Sequence, residues 1–312
     1  MTAPLPSPLL QGVTPALDTL GVIRAEGPDA AAFLHGQLTQ DFVLMGAHEA
    51  RLAALCTPKG RMIASFIGLR AAPEVILLVC SRDLLAATLK RLSMYVLRAK
   101  VKLGDASAEI AVRGLAGAAL SANDVDAGAP PWRCTTVGEA HAVTLYPADG
   151  VPRALWTGPA AAPAPEGELL DAATWAWSEV RSGVVTLGTP VVDAFVPQML
   201  NYESVDGVNF KKGCYPGQEV VARSQFRGTL KRRAYLVKAG APLTAGQEVF
   251  AAGDAEQPVG TVAQAAPAPG GGWAAMVSMQ IAALEAGSLH AGTADGPALT
   301  VEPLPYPLRD DI

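Results

Sequence analysis

The sequence lacks any apolar stretch long enough to cross a membrane. A transmembrane helix needs about 20 consecutive apolar residues, whereas the longest strongly apolar run, 75–80, reads only VILLVC. No basic residue precedes Arg24, so the N-terminus has no charged region of the kind that opens a secretory signal. We therefore expect a cytoplasmic protein that does not associate with membranes.

Cysteine and histidine are scarce as well, with four of each in 312 residues. The cysteines, at positions 56, 80, 134 and 214, form no C-x-x-C pair, and no two histidines stand four residues apart. This spacing excludes a disulfide framework and makes a metal site built from this chain alone improbable. Cys80 ends the apolar run and fits a buried side chain, and we assign Cys56 and Cys134 the same structural role.

Charged residues are few, at 17%, while 50% of the chain is hydrophobic, which is typical of packed globular proteins and not of disordered ones. The length predicts two or three domains. The net charge is −5, yet segment 211–233 carries seven basic side chains and one acid, Glu219. An anion approaching the protein would be attracted to this segment.

The hydrophobic pattern predicts a mixture of helices and strands. Helices are indicated at 28–38, after Ser81, at 171–182 and over QEVVARSQF, and a buried strand at 74–80. In the third of these helices Trp175, Ser178, Glu179 and Ser182 share one face. After Arg233 the pattern changes to short apolar runs split by Gly and Pro, which predicts a small all-β domain.

Cys214 has the setting of a reactive thiol. It lies in KKGCYPGQE, after two lysines, between two glycines and just ahead of a predicted helix. Nearby positive charge and the positive end of a helix both favour the thiolate form. A lone cysteine is more often an inert hydrophobic residue, so the residues alone leave both interpretations open.

Several blocks of the sequence resemble one known family. The segments FVPQMLN (195–201), GVNFKKGCYPGQEVVAR (207–223) and FRGTLKRR (226–233) closely resemble the signature of the YgfZ family of folate-binding proteins. LHGQLTQD (34–41), AALCTPKGRM (53–62) and VEPLPYPL (301–308) resemble its other blocks, in the same order. The resemblance therefore covers almost the whole chain.

The resemblance implies an α+β fold like that of the glycine cleavage system T-protein, with two intertwined α+β domains and a C-terminal β-barrel around a central folate site. We expect a discontinuous domain of residues 1–52 and 132–228 that carries the cysteine motif, a second domain of 53–131, and the barrel at 229–312. The implied role is a tetrahydrofolate-dependent one in the assembly or repair of iron-sulfur proteins.

The resemblance also implies which residues act. Cys214 matches the functional cysteine of the family, and Trp175 matches a tryptophan that contacts folate, whereas Leu20 stands where a second family tryptophan would align. The candidate folate-binding residues are Trp175, Arg223, Arg227, Lys212, Gln218 and Glu219. The arginines, or the cluster 231–233, could hold folate carboxylates or a tRNA backbone.

We expect tetrahydrofolate as the cofactor and iron-sulfur assembly or client proteins as partners, with nucleic acid ranked below both. Cys214 is a candidate transient iron ligand, because soft thiolates suit iron-sulfur chemistry; one cysteine cannot hold a cluster alone, so a partner would supply the remaining ligands. Two alternatives remain: a folate-dependent aminomethyltransferase or other one-carbon transferase, and an interaction module in which Cys214 is buried. Enzymatic activity is therefore undecided.

Overall fold

The computed structural model describes residues 9–228, 230–252, 256–285 and 287–309. Within these residues the chain forms five α-helices, sixteen strands and short 3-10 turns. The α-helices are α1 (Ala30–Gln37), α2 (Arg82–Ser93), α3 (Ala118–Ala122), α4 (Ala172–Arg181) and α5 (Gln218–Phe226). The strands are β1 (Gly12–Val13), β2 (Leu20–Glu26), β3 (Ala50–Cys56), β4 (Met62–Ala72), β5 (Val75–Ser81), β6 (Lys102–Asp105), β7 (Ile110–Ala116), β8 (Cys134–Val137), β9 (Ala140–Ala148), β10 (Val151–Pro159), β11 (Arg232–Ala239), β12 (Glu248–Ala251), β13 (Gly260–Pro267), β14 (Trp273–Gln280), β15 (Leu289–Ala291) and β16 (Ala298–Glu302).

The first sheet contains five antiparallel strands in the order β3-β4-β5-β2-β6. Its middle strand, β5, is buried along nearly its whole length, which explains why VILLVC is continuously apolar and not alternating. Helices α1 and α2 contact this sheet. The buried side chains Phe33, Phe42 and Phe66 belong to the core between them.

The second sheet has the order β1-β7-β10-β9-β8 and is also antiparallel. Helix α4 connects this sheet to the barrel, since it contacts β9 as well as β13 and β14. The helix begins where predicted, because the Asp171 side chain accepts a hydrogen bond from the Thr174 N–H. It ends before Gly183, whose φ of 71° is in the left-handed region.

The C-terminal strands form a closed barrel in the order β11-β14-β13-β12-β15-β16. This confirms the predicted α+β fold with a C-terminal β-barrel. Closure leaves no unpaired strand edge, which suits a short segment of apolar runs separated by turns. The barrel has its own core, which includes Val237, Val249 and Val277.

The two sheets do not follow the predicted division of the N-terminal part. Strand β2 comes from the segment predicted to belong to the discontinuous domain, yet it pairs with β5 and β6 from the predicted second domain. The second sheet takes β1 from the N-terminal segment, the first sheet takes the next five strands, β2 to β6, and the chain returns to the second sheet at Ile110 with β7. Hydrophobic patterns locate strands but do not show which strands pair. They could not predict how the strands divide between the two sheets.

Among the residues that the structure describes, no helix is both long enough and apolar enough to cross a membrane.

Candidate functional site: a central cavity and an exposed cysteine loop

A cavity lies between the two sheets and helix α4. The empty space among its lining residues, including the part open to solvent, is about 550 Å³, and seventeen residues line it. The first sheet contributes β2 to β5, the second sheet contributes β9 and β10, and α4 with the segment after it closes one side. The lining residues are Leu20, Leu52, Ser65, Phe66, Ile67, Val79, Cys80, Trp132, Leu145, Tyr146, Arg153, Leu155, Glu179, Ser182, Val184, Val185 and Thr186.

Arg153 is the main cation of this cavity. It is only 2% exposed, and its Nη1 donates to the Ser178 carbonyl oxygen at 3.0 Å. The guanidinium carbon lies 4.4 Å from the ring centroid of Trp175, an arrangement in which the cation faces the aromatic ring. Burial lowers the pKa of Arg153 to about 10, with Glu179 opposing that effect, so the side chain stays charged at neutral pH.

Trp175 lies behind Arg153 and not on the cavity wall. It is 1% exposed, and its ring packs so closely on β7 that a Cβ at Gly114 would lie 2.4 Å from it. Only glycine allows this approach. The structure therefore does not bring Trp175 to the surface that a bound molecule would touch; Trp175 instead supports Arg153, which does line the cavity.

Glu179 provides the carboxyl group of the cavity. The sequence predicts that it shares one face of α4 with Trp175. Burial raises the pKa of Glu179, while the Arg153 charge and the Trp175 indole N–H oppose the rise. Arg153 and Glu179 thus place a guanidinium donor and a carboxyl group among the residues that line the cavity. The same wall holds a buried N–H group without a hydrogen-bond acceptor in the structure, Arg153 Nε.

Aromatic and aliphatic side chains form the rest of the cavity wall. The rings of Trp132 and Tyr146 meet edge to face at 6.0 Å, and Tyr146 meets Tyr306 in the same way at 5.3 Å. Trp132 is fixed by a hydrogen bond from its Nε1 to the Val205 carbonyl oxygen. Leu20, at the position where the resemblance predicts a second tryptophan, also lines this wall. The cavity therefore offers flat apolar faces beside Arg153 and Glu179.

Cys214 lies outside this cavity, on an exposed loop that precedes α5. Its exposure excludes the interpretation in which this cysteine is a buried structural residue. The other three cysteines are buried, as predicted. Burial raises the pKa of Cys56 and Cys80 to about 12, so these thiols stay protonated at neutral pH.

Lys212 anchors the Cys214 loop to the end of α1. Its Nζ donates to the backbone oxygens of His35, Leu38 and Gly213, and lies 4.5 Å from the centre of the Tyr215 ring. Burial lowers the pKa of Lys212 to about 8, although Asp41 and Cys214 act in the opposite direction. Because the ammonium group of Lys212 already donates to carbonyl oxygens at the end of α1, it is not available as a cation for folate.

Gly217 fixes the loop against the turn after β3. Its φ is 83°, and a Cβ there would lie 2.4 Å from the Thr57 carbonyl oxygen. The opposite side of this contact is also close, since a Cβ at Gly60 would meet the Val220 side chain at 2.9 Å. The cysteine block and the TPKGR block, far apart in sequence, are therefore packed backbone to backbone.

His35 and Asp41 lie beside the cysteine loop. His35 Nδ1 and Asp41 Oδ1 are 3.0 Å apart, and a Cβ at Gly213 would lie 3.3 Å from His35 Nε2. Burial would raise the pKa of Asp41, but the Leu44 N–H and His35 outweigh it, so the pKa lies below its usual value. The ionised carboxylate holds the imidazole with Nε2 towards the residue that precedes Cys214.

The remaining predicted folate contacts lie on or just after the exposed helix α5. Gln218, Glu219, Arg223 and Arg227 are absent from the lining of the central cavity. Arg223 and Glu219 form a weak pair, 3.7 Å apart, with 71% and 89% of their side chains exposed. Their assignment to folate therefore stays a prediction.

The predicted basic cluster 231–233 is divided by the structure. Arg233 is buried, with its Nη1 donating to Glu203 Oε1 at 2.6 Å, and Arg232 Nη1 donates to the Val259 carbonyl oxygen. Only Lys231 is exposed and without an ion pair in the described part of the chain. The sequence pattern could not show this, because buried and exposed arginines look alike in a charged run.

The residues that the structure describes contain no group of three or more His, Cys, Asp or Glu side chains arranged to hold a metal ion.

Comparison with known proteins relates the whole chain to one family, although no family model matches it. The tRNA-modifying protein YgfZ of Serratia proteamaculans is 30% identical over 315 residues, which cover 95% of this chain and 93% of that protein. The protein of the same name from Edwardsiella ictaluri is 30% identical over 309 residues. The chain belongs to the YgfZ family. The Sodalis glossinidius member, at 29% identity, covers 98% of this chain.

The fold of this YgfZ family member is that of the T-protein. The crystal structure of glycine cleavage system aminomethyltransferase T from Bartonella henselae superposes with a TM-score of 0.67, covering 95% of this chain and 87% of that one. Its sequence identity is 15%, so the likeness concerns the fold. It confirms the architecture that the sequence blocks implied.

Sequence reasoning missed Arg153, His35 and Asp41 in this YgfZ family member. Arg153 is a single arginine in an apolar strand pattern, and only its burial next to Trp175 and Glu179 distinguishes it. His35 and Asp41 belong to the family-like block LHGQLTQD. Their spacing, however, does not indicate contact with the Cys214 loop, which lies more than 170 residues away in the sequence. For Glu179, the shared helical face with Trp175 was the available signal.

Proposed function

We propose that the protein is a tetrahydrofolate-binding factor that supports the assembly or repair of iron-sulfur proteins, with Cys214 as its functional thiol. The central cavity carries the first half of this proposal, because apolar and aromatic walls surround one arginine and one carboxyl group, Arg153 and Glu179. The exposed position of Cys214 supports the second half. The relatives are named tRNA-modifying proteins, so the function that we propose includes support of tRNA modification.

The cavity residues fit the pterin ring of a folate. A pterin edge offers adjacent N–H groups beside a carbonyl oxygen, and Glu179 can accept from the first while Arg153 donates to the second. The buried Arg153 Nε without an acceptor is a further donor available for a polar ligand. Trp132 and Tyr146 provide ring faces whose aromatic contacts are worth on the order of 1 kcal/mol. Tetrahydrofolate, when bound, supplies a carrier of one-carbon groups.

The thiol acts separately from this cavity. Cys214 is the exposed cysteine, and three backbone contacts of Lys212 hold its loop in place. A thiolate there can attack a disulfide or bind iron as a soft ligand. Because the described residues provide no further metal ligands in a group, the remaining ones would come from a partner protein or a small thiol.

The test of the folate site is calorimetric titration of tetrahydrofolate into the wild type and Glu179→Gln. The substitution keeps the shape of the side chain but replaces one carboxyl oxygen by an amide NH2 group, so a hydrogen-bond acceptor for the pterin N–H groups is lost and we expect affinity to fall about 10-fold or more. Trp175→Ala is less informative, because emptying a fully buried site costs about 3–5 kcal/mol of stability.

Glu139→Gln is the matched control, because Glu139 is exposed and lies outside the central cavity. Its affinity for tetrahydrofolate should equal that of the wild type. A wild type that does not bind tetrahydrofolate, or a Glu179→Gln protein that binds with unchanged affinity, would remove the cavity from the proposal.

The fold favours one alternative, a folate-dependent aminomethyltransferase, because the T-protein shares the architecture. Such an enzyme needs a carboxylate near the folate nitrogens, and Glu179 occupies a suitable wall. Incubation with tetrahydrofolate and an aminomethyl donor distinguishes the two functions. Formation of methylene-tetrahydrofolate in stoichiometric excess over the protein would establish the transferase, whereas the factor should bind without turnover.

A further inference from the structure

The exposed side of α5 and its flanks form a cationic surface that the central cavity does not use. Four basic side chains of the segment 211–233 point to solvent: Lys211, Arg223, Arg227 and Lys231. In the part of the chain that the structure describes, the only ion pair among them is the exposed contact of Arg223 with Glu219. The other three basic residues, Lys212, Arg232 and Arg233, donate hydrogen bonds within the protein.

An aromatic ring lies among these charges. Phe226, the last residue of α5, is 64% exposed and stands one turn after Arg223 and next to Arg227. Phe210 supports it from one side, with ring centroids 5.2 Å apart and ring planes inclined at 74°. An exposed phenylalanine held in one orientation leaves its other side free for a planar partner.

These features fit a nucleic-acid strand better than an acidic peptide. Unpaired cations attract either polyanion, and the more so here because the rest of the chain is acidic enough to make the net charge −5. A fixed aromatic ring, however, gains from a base that stacks on it, and arginines beside the ring suit phosphates. The relatives are tRNA-modifying proteins by name, which favours RNA.

We propose that this face binds a single-stranded segment of RNA, with phosphates on Arg223, Arg227 and Lys231 and a base stacked on Phe226. Binding here goes beyond the proposed folate and thiol functions. The two proposals fail separately, because tetrahydrofolate binding is measured on the wild type without RNA.

The experiment is fluorescence anisotropy of a labelled oligouridine 12-mer titrated with the full-length protein between about 50 and 200 mM salt. Each phosphate contact with a single strand contributes roughly −0.7 to the slope of log affinity against log salt, so three contacts predict a slope of about −2. Phe226→Ala should weaken binding about 10-fold without changing the slope, because stacking is not ionic. Arg223→Gln combined with Arg227→Gln should reduce the slope by about 1.4.

Tyr95 and Arg98 provide the matched control, as an exposed aromatic and a nearby exposed cation on another surface. Tyr95→Ala and Arg98→Gln should leave affinity and slope unchanged. Three results would overturn the proposal: no binding at about 50 mM salt, equal binding by Phe226→Ala, or an oligoglutamate 12-mer that competes as well as unlabelled oligouridine. The last result would indicate that the arginines bind an acidic ligand, such as a folate tail.

Discussion

At the scale of single residues, burial separates four chemically identical cysteine side chains. Cys56, Cys80 and Cys134 lie in the cores, and burial raises their pKa values, to about 11 in the case of Cys134. Cys214 lies on an exposed loop. Because the thiolate is the reactive form, a buried thiol with a raised pKa is slow to react even when a reagent reaches it.

Alkylation of the native protein should therefore modify Cys214 first. With iodoacetamide at about pH 7.5, we expect the intact mass of the wild type to show one adduct before any second adduct appears. In Cys214→Ala, no adduct should form at that rate. The unfolded wild type should take up four adducts and serves as the control. In cells, Cys214→Ala should fold normally yet fail to support iron-sulfur enzymes; full complementation by this variant would refute the functional role of the thiol.

At the scale of elements, α5 begins at the place where two chain segments leave no room for a side chain. Gly217 has a positive φ and approaches the Thr57 carbonyl oxygen, while Gly60 has a φ of 72° and faces Val220. Both glycines satisfy conformational and steric requirements together. The position of the Cys214 loop therefore depends on backbone contact with the turn after β3.

Gly217→Ala should disturb this contact. The added Cβ would lie 2.4 Å from a backbone oxygen, in a region of φ that alanine disfavours, so we expect a loss of about 1–3 kcal/mol in the free energy of unfolding. Cys214 alkylation should change in rate as the loop shifts. Gly213→Ala is the control in the same loop, because its Cβ meets only the end of His35 at 3.3 Å. Equal destabilisation by both variants would show that the Gly217 contact is not specific.

At the scale of the whole molecule, Arg181 at the end of α4 connects the barrel to the second sheet. It forms ion pairs with Asp149, between β9 and β10, and with Glu302 of β16, and Glu302 also pairs with Lys238 of β11 at 3.2 Å. Burial would raise the pKa of Glu302, but Arg181 and Lys238 lower it overall. Partly buried networks of this kind contribute more than isolated surface pairs.

Arg181→Met should lower the free energy of unfolding by about 2 kcal/mol at pH 7, because it leaves two partly buried carboxylates without their partner. Since the pKa of Glu302 is lowered in the folded state, its share is present above its ordinary value of 4.5 and lost as pH falls below it. Urea unfolding should therefore show a smaller difference between wild type and variant under acidic conditions.

Arg24→Met is the matched control, since Arg24 pairs with the 63% exposed Glu109 and should change stability by less than about 1 kcal/mol. An Arg181→Met protein as stable as the wild type at pH 7 would mean that the network does not hold the barrel in place.

The sequence alone determined the features that depend on local pattern and on characteristic blocks. The buried strand before Ser81, the helix capped by Asp171 and the all-β C-terminal segment were all predictable, because periodicity and capping are local properties. The ordered blocks gave the family and with it the fold. Cys214 was also the candidate reactive thiol in the sequence, because it directly follows KKG and precedes a predicted helix.

Only the tertiary structure decided which of these residues meet. It placed Trp175 behind Arg153, occupied Lys212 and Arg233 with internal hydrogen bonds, and brought His35 to the Cys214 loop. Such contacts depend on strand pairing and on burial, which join residues distant in the chain. The sequence does not show whether a charged or aromatic side chain faces solvent, a cavity or a buried partner. That environment determines the chemistry of the side chain.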